Sequence, residues 1–160
     1  MNCSFNKMDE SSARDILGWR YDPPYDVYNL ASDEAENVVK SMMDPQNAYF
    51  SITDEQGELV AYCCFGREGQ VPGGDYSSDA LDIGMGVRPD LTGRGLGQAF
   101  ANRVLDFADT KFSSCVYRVT VAGFNERALR VWEKAGFQRV KIFQRYRDKR
   151  PFVILVLPNP

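Results

Sequence analysis

Residues Leu81 to Gln98 read LDIGMGVRPDLTGRGLGQ. In the first half, Leu81, Ile83, Met85 and Val87 alternate with Asp82, Gly84 and Gly86, which is the period of a strand. One face of that strand is apolar; the other is nearly bare and carries one acid. Pro89 ends it, because proline has no N–H for a ladder. In the second half, Gly93, Gly95 and Gly97 open a helix whose apolar stripe is Leu96, Phe100, Val104 and Phe107. Glycines let main-chain N–H groups approach an anion, and a helix amino end favours negative charge. The stretch is therefore a candidate pyrophosphate cradle, with Arg94 adding a cation; its other reading is an ordinary flexible turn before a helix. It is not a P-loop, since no Gly-Lys-Ser/Thr follows, and its G-x-G-x-G spacing is not the dinucleotide fingerprint.

Downstream, Cys115 to Val121 is a predicted strand rich in β-branched residues, so the unit from Leu81 to Val121 is expected to be a parallel crossover. Asn125 is expected to cap a helix with Ala128, Val131, Trp132 and Ala135 on its apolar stripe. Gly136 ends that helix, with Phe137 as its hydrophobic partner. Arg139 to Tyr146 and Phe152 to Leu157 form a last hairpin. Upstream, Asp9 caps a helix running to about Leu17. An aromatic, proline-rich stretch follows, Trp19 to Leu30, and then a helix from Ser32 or Asp33. Ala48 to Thr53 and Leu59 to Phe65 read as a hairpin, and Gly66 to Ser78 as a loop. The expectation is a single α/β (α+β) domain over residues 1–160, with a largely antiparallel sheet flanked by helices.

The 160 residues are 44% hydrophobic and 26% charged, near the globular average. Nineteen basic residues against 22 acidic give a net charge of −3, so no nucleic-acid partner is expected. The longest strongly apolar run, Phe152 to Leu157, is too short to span a bilayer, and no membrane partner is expected. The chain has no histidine, which removes Ser-His and Cys-His nucleophiles and imidazole metal sites; no metal is expected. Cys3, Cys63, Cys64 and Cys115 form no C-x-x-C pair and are expected to be reduced and buried, with Cys63 and Cys64 facing opposite ways. Met1 to Glu10 is polar and has no signal-peptide character, so a cytoplasmic location is expected.

The run from Leu81 to Gln98 resembles the acetyl-CoA-binding segment of the GNAT superfamily of N-acetyltransferases. Val87, Arg88 and Pro89 supply its V-x-P turn, and Gly95 and Gly97 its paired small positions. Thr92 stands where that pattern has Arg or Gln. Asn125, Ala128, Gly136 and Phe137 match the N-x-x-A…G-F pattern at its spacing. The resemblance implies a GNAT-like sheet, acetyl-CoA as donor, and a small-molecule amine or peptide as acceptor. It implies that Gly86 and Val87 meet the pantetheine arm and that Arg88, in the turn, is also a cofactor-binding residue. The amides of Gly93, Arg94, Gly95, Leu96, Gly97 and Gln98 would hold the pyrophosphate, and Asn125 would bond the arm. Trp132 stands where the family often has a tyrosine that protonates the departing thiolate. It is expected to contact the cofactor or pack in the core. An indole cannot lose its proton near neutral pH, so another group is needed, and Tyr117 and Tyr146 are candidates.

Such chemistry is direct attack of a neutral amine on the thioester. A lysine-like amine of pKa about 10.4 is neutral in fewer than about one molecule in a thousand at pH 7, an α-amine near 8 in about one in ten. With no histidine, the base must be Asp, Glu or water. Asp82, on the glycine face, is the candidate; its other reading is a structural acid paired with an arginine on a neighbouring strand. Glu68 and Asp75 are second-rank candidates. In the aromatic loop, Trp19, Tyr21, Tyr25 and Tyr28 beside Asp22 and Asp26 suit a cationic acceptor, with Trp19, Tyr25, Asp26 and Tyr28 the expected contacts. The other reading is a loop stiffened by Pro23 and Pro24 whose aromatics cover the core edge. The competing expectation is a non-catalytic acyl-CoA-binding module. A homodimer is left open.

Overall fold

The computed structural model describes residues 1–114 and 116–158; Cys115, expected to begin a strand, lies outside them. Seven strands and four α-helices follow one another. They are β1 (Ser4–Lys7), α1 (Glu10–Leu17), α2 (Ala35–Met43), β2 (Tyr49–Thr53), β3 (Leu59–Phe65) and β4 (Leu81–Val87). Then come α3 (Gly97–Phe112), β5 (Val116–Ala122), α4 (Glu126–Lys134), β6 (Gln138–Gln144) and β7 (Pro151–Pro158). The strands form one sheet in the order β1-β2-β3-β4-β5-β7-β6. Every pairing is antiparallel except β4 with β5, so the expected parallel crossover is present.

Local chemistry explains the helix ends. The Asp9 side chain accepts from the Ser12 amide at 2.7 Å and starts α1. Asn125 does the same for α4 through the Ala128 amide at 3.1 Å. Gly136 adopts φ +105°, and the Gly136 and Phe137 amides return to the Glu133 and Trp132 carbonyls, the paired closure of a helix carboxyl end.

Two cores lie on opposite faces of the sheet. Phe100, Ala101, Val104 and Ala108 of α3 and Leu129 and Trp132 of α4 pack on Ile52, Cys63, Val119 and Leu155. Ala13 and Ile16 of α1 pack with Val39 and Met42 of α2 against Tyr49 and Tyr62. Cys63 joins the first core, whereas Cys64 points the other way and lines a cavity, so adjacent cysteines do sit on opposite faces. Strand β1 was not expected: Ser4–Lys7 has one apolar residue, Phe5, whose ring stacks on Phe107 at 4.4 Å.

The feature that positions the site lies at the sheet centre. Strands β4 and β5 pair only at Leu81↔Tyr117, Asp82↔Arg118 and Ile83↔Val119. Beyond Ile83 they part, while β4 stays bonded to β3 as far as Val87 and β5 to β7 as far as Ala122. The sheet is forked, and two inner strand edges face each other without pairing.

Candidate active site in a forked sheet

A cavity of about 720 Å³ fills the fork. Gly84, Gly86 and Val87 line one side, and Thr120, Val121 and Ala122 the other. Backbone groups on such free edges are ready to take up an extended ligand by strand-like hydrogen bonds. The bare face of β4 is not an empty trough. Cβ atoms at Gly84 and Gly86 would strike Cys64 Sγ and the Tyr62 ring, so the missing side chains make room for neighbours on β3. A ligand arm must therefore run beside Tyr62, along the strand edge.

At the open end of the fork lies the glycine turn. Gly93 and Gly95 adopt φ +71° and +77°, which an L side chain adopts at a cost. A Cβ at Gly95 would meet only open space, so conformation rather than crowding calls for glycine there. Helix α3 has no side chain capping its amino end and no acid in its first turn. Its orphan amides are free to meet an anion. Gln98, in that first turn, has a buried Oε1 that finds no donor among the described residues. Helix α4 supplies Arg127, Arg130 and Lys134 to the same cavity, and Arg127 stacks on the Tyr25 ring at 3.9 Å. Sequence reading missed this basic stripe, although its helical spacing was there to be read.

The expected cofactor residues divide. Gly86, Val87, Gly93, Gly95, Gly97, Gln98, Asn125 and Trp132 line the cavity. Arg88, Arg94 and Leu96 do not number among its described lining residues. Arg88 turns away to Asp90 at 2.7 Å and to the Leu59 carbonyl at 2.9 Å. Arg94 is exposed, and Leu96 packs on the core. Asn125 spends its oxygen on the α4 cap and its amide on the Tyr28 hydroxyl at 3.0 Å. Trp132 is 5% exposed, packs edge-on to Phe137 and also lines the cavity.

Asp82, the expected base, requires a correction. Arg118 grips it through two bonds of 2.6 and 2.7 Å, and Gln70 adds a third at 2.8 Å. Asp82 is 2% exposed and lies outside the described lining of the cavity. A carboxylate with both oxygens taken and no path to an acceptor is a strut. It stands beside the last β4–β5 pair and pins the two strands where the fork begins. Tyr117 and Tyr146 are also displaced from the chemistry. The Tyr117 hydroxyl donates to Asp109, Tyr146 is 70% exposed, and neither lines the cavity among the described residues.

Of the expected acceptor residues, Tyr25 and Tyr28 line the cavity. Asp26 is exposed outside it, and Trp19 sits behind Tyr62 with ring centroids 6.0 Å apart. Tyr21 of the same aromatic loop also lines the cavity, and so do Tyr49 and Tyr62, which no sequence pattern singled out. The Tyr21 hydroxyl donates to the Val87 carbonyl at 2.8 Å, tying the aromatic loop to the end of β4. Burial pushes the Tyr21 phenol up to about 12, and burial also raises those of Tyr49 and Tyr62, so all three remain donors.

Fold and cavity together define a class of architecture: a largely antiparallel sheet forked at its centre, with an uncapped helix end at the mouth of the fork. The chain belongs to the acetyltransferase (GNAT) family, whose description matches residues 11–137. It is 33% identical over 107 residues to the N-alpha-acetyltransferase RimI of Mycobacterium tuberculosis (strain ATCC 25618 / H37Rv). That match covers 67% of this chain and 62% of the relative, so the shared segment spans less than two thirds of that protein. It is 23% identical over 150 residues to the spermidine N(1)-acetyltransferase of Vibrio cholerae serotype O1 (strain ATCC 39315 / El Tor Inaba N16961), covering 89% of this chain and 81% of that one. Among solved structures, a chimera of the Vibrio cholerae spermidine N-acetyltransferase SpeG and hSSAT superposes with a TM-score of 0.76 at 17% identity. That superposition covers 99% of this chain and 96% of the chimera. Members of the family draw acetyl groups from acetyl-CoA. The open amides of α3, the glycine turn, the α4 cations and the unmet Gln98 oxygen fit that donor.

Proposed function

We propose that this chain transfers the acetyl group of acetyl-CoA to an amine carrying a single positive charge, of the kind found at a peptide amino terminus. The observation that carries the reading is the fork: free edges on β4 and β5 leading from an uncapped helix end to a tyrosine-walled pocket. Gly93 to Gln98 and the α4 cations bind the phosphates. The β4 edge orients the arm, and acetyl-CoA supplies an activated thioester. Tyr21, Tyr49 and Tyr62 exclude water from the reacting end. A single positive charge suits the acceptor end, where Glu68 is the one carboxylate among the described lining residues. An α-amine also fits better because Asp82 is consumed by Arg118. A group near pKa 8 needs less help to lose its proton than one near 10.4.

A cytoplasmic location belongs to the same reading, supported by the free thiols of Cys3, Cys63 and Cys64. Among the described residues no helix is long and apolar enough to cross a membrane. The test is thiol release from acetyl-CoA with a panel of peptides, monoamines and spermidine. Turnover with peptide amino termini well above that with spermidine supports the proposal. The reverse order overturns its acceptor class.

A further inference from the structure

The cavity sorts its charge. Arg127, Arg130 and Lys134 stand at the glycine-turn end, on α4. At the other end, where β4 and β5 still touch, stands Glu68, the one carboxylate among the described lining residues. Two other acids near this end are committed. Arg118 holds Asp82, and Lys141 faces Asp75 at 3.8 Å. Among the described residues no cation is paired with Glu68.

Glu68 is exposed, yet its backbone is fixed. It lies in a single turn, Arg67–Gly69, entered through Gly66 at φ +105°. Gly69 sits so close to β4 that a Cβ there would come within 3.3 Å of the Asp82 Cβ. The Asp82–Arg118 strut thus holds the turn from below, through Gln70 as well. From the side, the Tyr49 hydroxyl donates to Glu68 Oε1 at 3.1 Å. Glu68 lines the cavity together with Tyr49 and Tyr62.

We propose that Glu68, oriented by Tyr49, receives the ammonium group of the acceptor and takes its proton. This rests on the acetyl-transfer reading above and deepens it. The ammonium proton passes to the Glu68 carboxylate and on to solvent. The freed nitrogen lone pair forms the N–C bond, the C–S bond breaks with its electron pair on sulfur, and the second amine proton neutralises the thiolate. Atoms balance as ammonium plus thioester giving amide, thiol and one proton.

The experiment is Glu68→Gln, assayed with acetyl-CoA and a peptide amino terminus from pH 6.5 to 9.5, beside Tyr49→Phe. Glutamine keeps an acceptor for the Tyr49 hydroxyl and removes the proton site, and the residue is exposed, so folding is undisturbed. The expected result is kcat/KM lowered about ten- to a hundredfold at pH 7. The gap should close to within about threefold at pH 9.5, where an α-amine is neutral unaided. Tyr49→Phe should show a smaller loss of the same pH shape, and CoA affinity should be unchanged in both variants. A Glu68→Gln enzyme as active as wild type at pH 7, or equally impaired at every pH, overturns the proposal and leaves the acetyl-transfer reading intact. A wild-type protein that binds CoA but acetylates no amine overturns that reading instead.

Discussion

Asp82 shows why a buried acid is not automatically a base. Its residue type and face suggested chemistry, but its partner is decided by register: Asp82 lies directly opposite Arg118. The pair is nearly dry, with side chains 3% and 5% exposed. Removing one member strands a buried charge, which costs about 3–5 kcal/mol. Asp82→Asn should therefore lower the unfolding free energy measured by denaturant titration by that amount, without a new limb in the pH–rate profile. The tyrosine end makes a second prediction. Burial, then the nearby Glu68 charge, pushes the Cys64 thiol from 9.0 to about 12, and burial moves the Tyr21 phenol from 10.0 to about 12. Both favour the neutral form in the folded state. Their stabilisation is fully present below about pH 9 and is lost as pH rises through 12, because the unfolded chain releases those protons first. Denaturant midpoints measured from pH 7 to 11 should be flat to about 9 and then fall. Stability that rises above pH 9 contradicts this.

At the scale of elements, what could be read was local. The glycine turn, α3, and α4 between Asn125 and Gly136 were legible because their caps and apolar stripes lie within one segment. Strand β1 was not, since Ser4–Lys7 becomes a strand only by pairing with residues 50–53 of β2. The fork was not legible either: sequence shows two strands, not the residue at which their pairing stops. For the same reason Tyr49 and Tyr62, on neighbouring strands, gave no joint signal, while Arg88 looked like a site residue and turns to Asp90 and the Leu59 carbonyl. The turn and the basic stripe can be tested together. Gly95→Ala forces a left-handed conformation costing about 1–2 kcal/mol and should weaken CoA binding about tenfold by calorimetry. Arg127→Ala with Lys134→Ala should weaken it a further few-fold at low salt. Most of that second effect should vanish at 1 M salt, where the screening length is about 3 Å.

Over the whole molecule, two cores cover opposite faces of a sheet whose central strands part beyond Ile83. The strut at Asp82 and Arg118 sets where the opening starts, and the aromatic loop roofs it by way of Tyr21 on Val87 and Tyr28 on Asn125. A ligand seated there binds only the folded state, so CoA at about a hundred times its Kd should add about 2.7 kcal/mol of stability. A thermal midpoint unmoved by saturating CoA contradicts that. The most direct test of the seat itself is amide hydrogen exchange followed with and without CoA. The account predicts new protection confined to the free edges of β4 and β5 at residues 84–87 and 120–122 and to the turn at 93–98. Protection that falls elsewhere while those three segments exchange unchanged would mean that the fork is not where the donor binds.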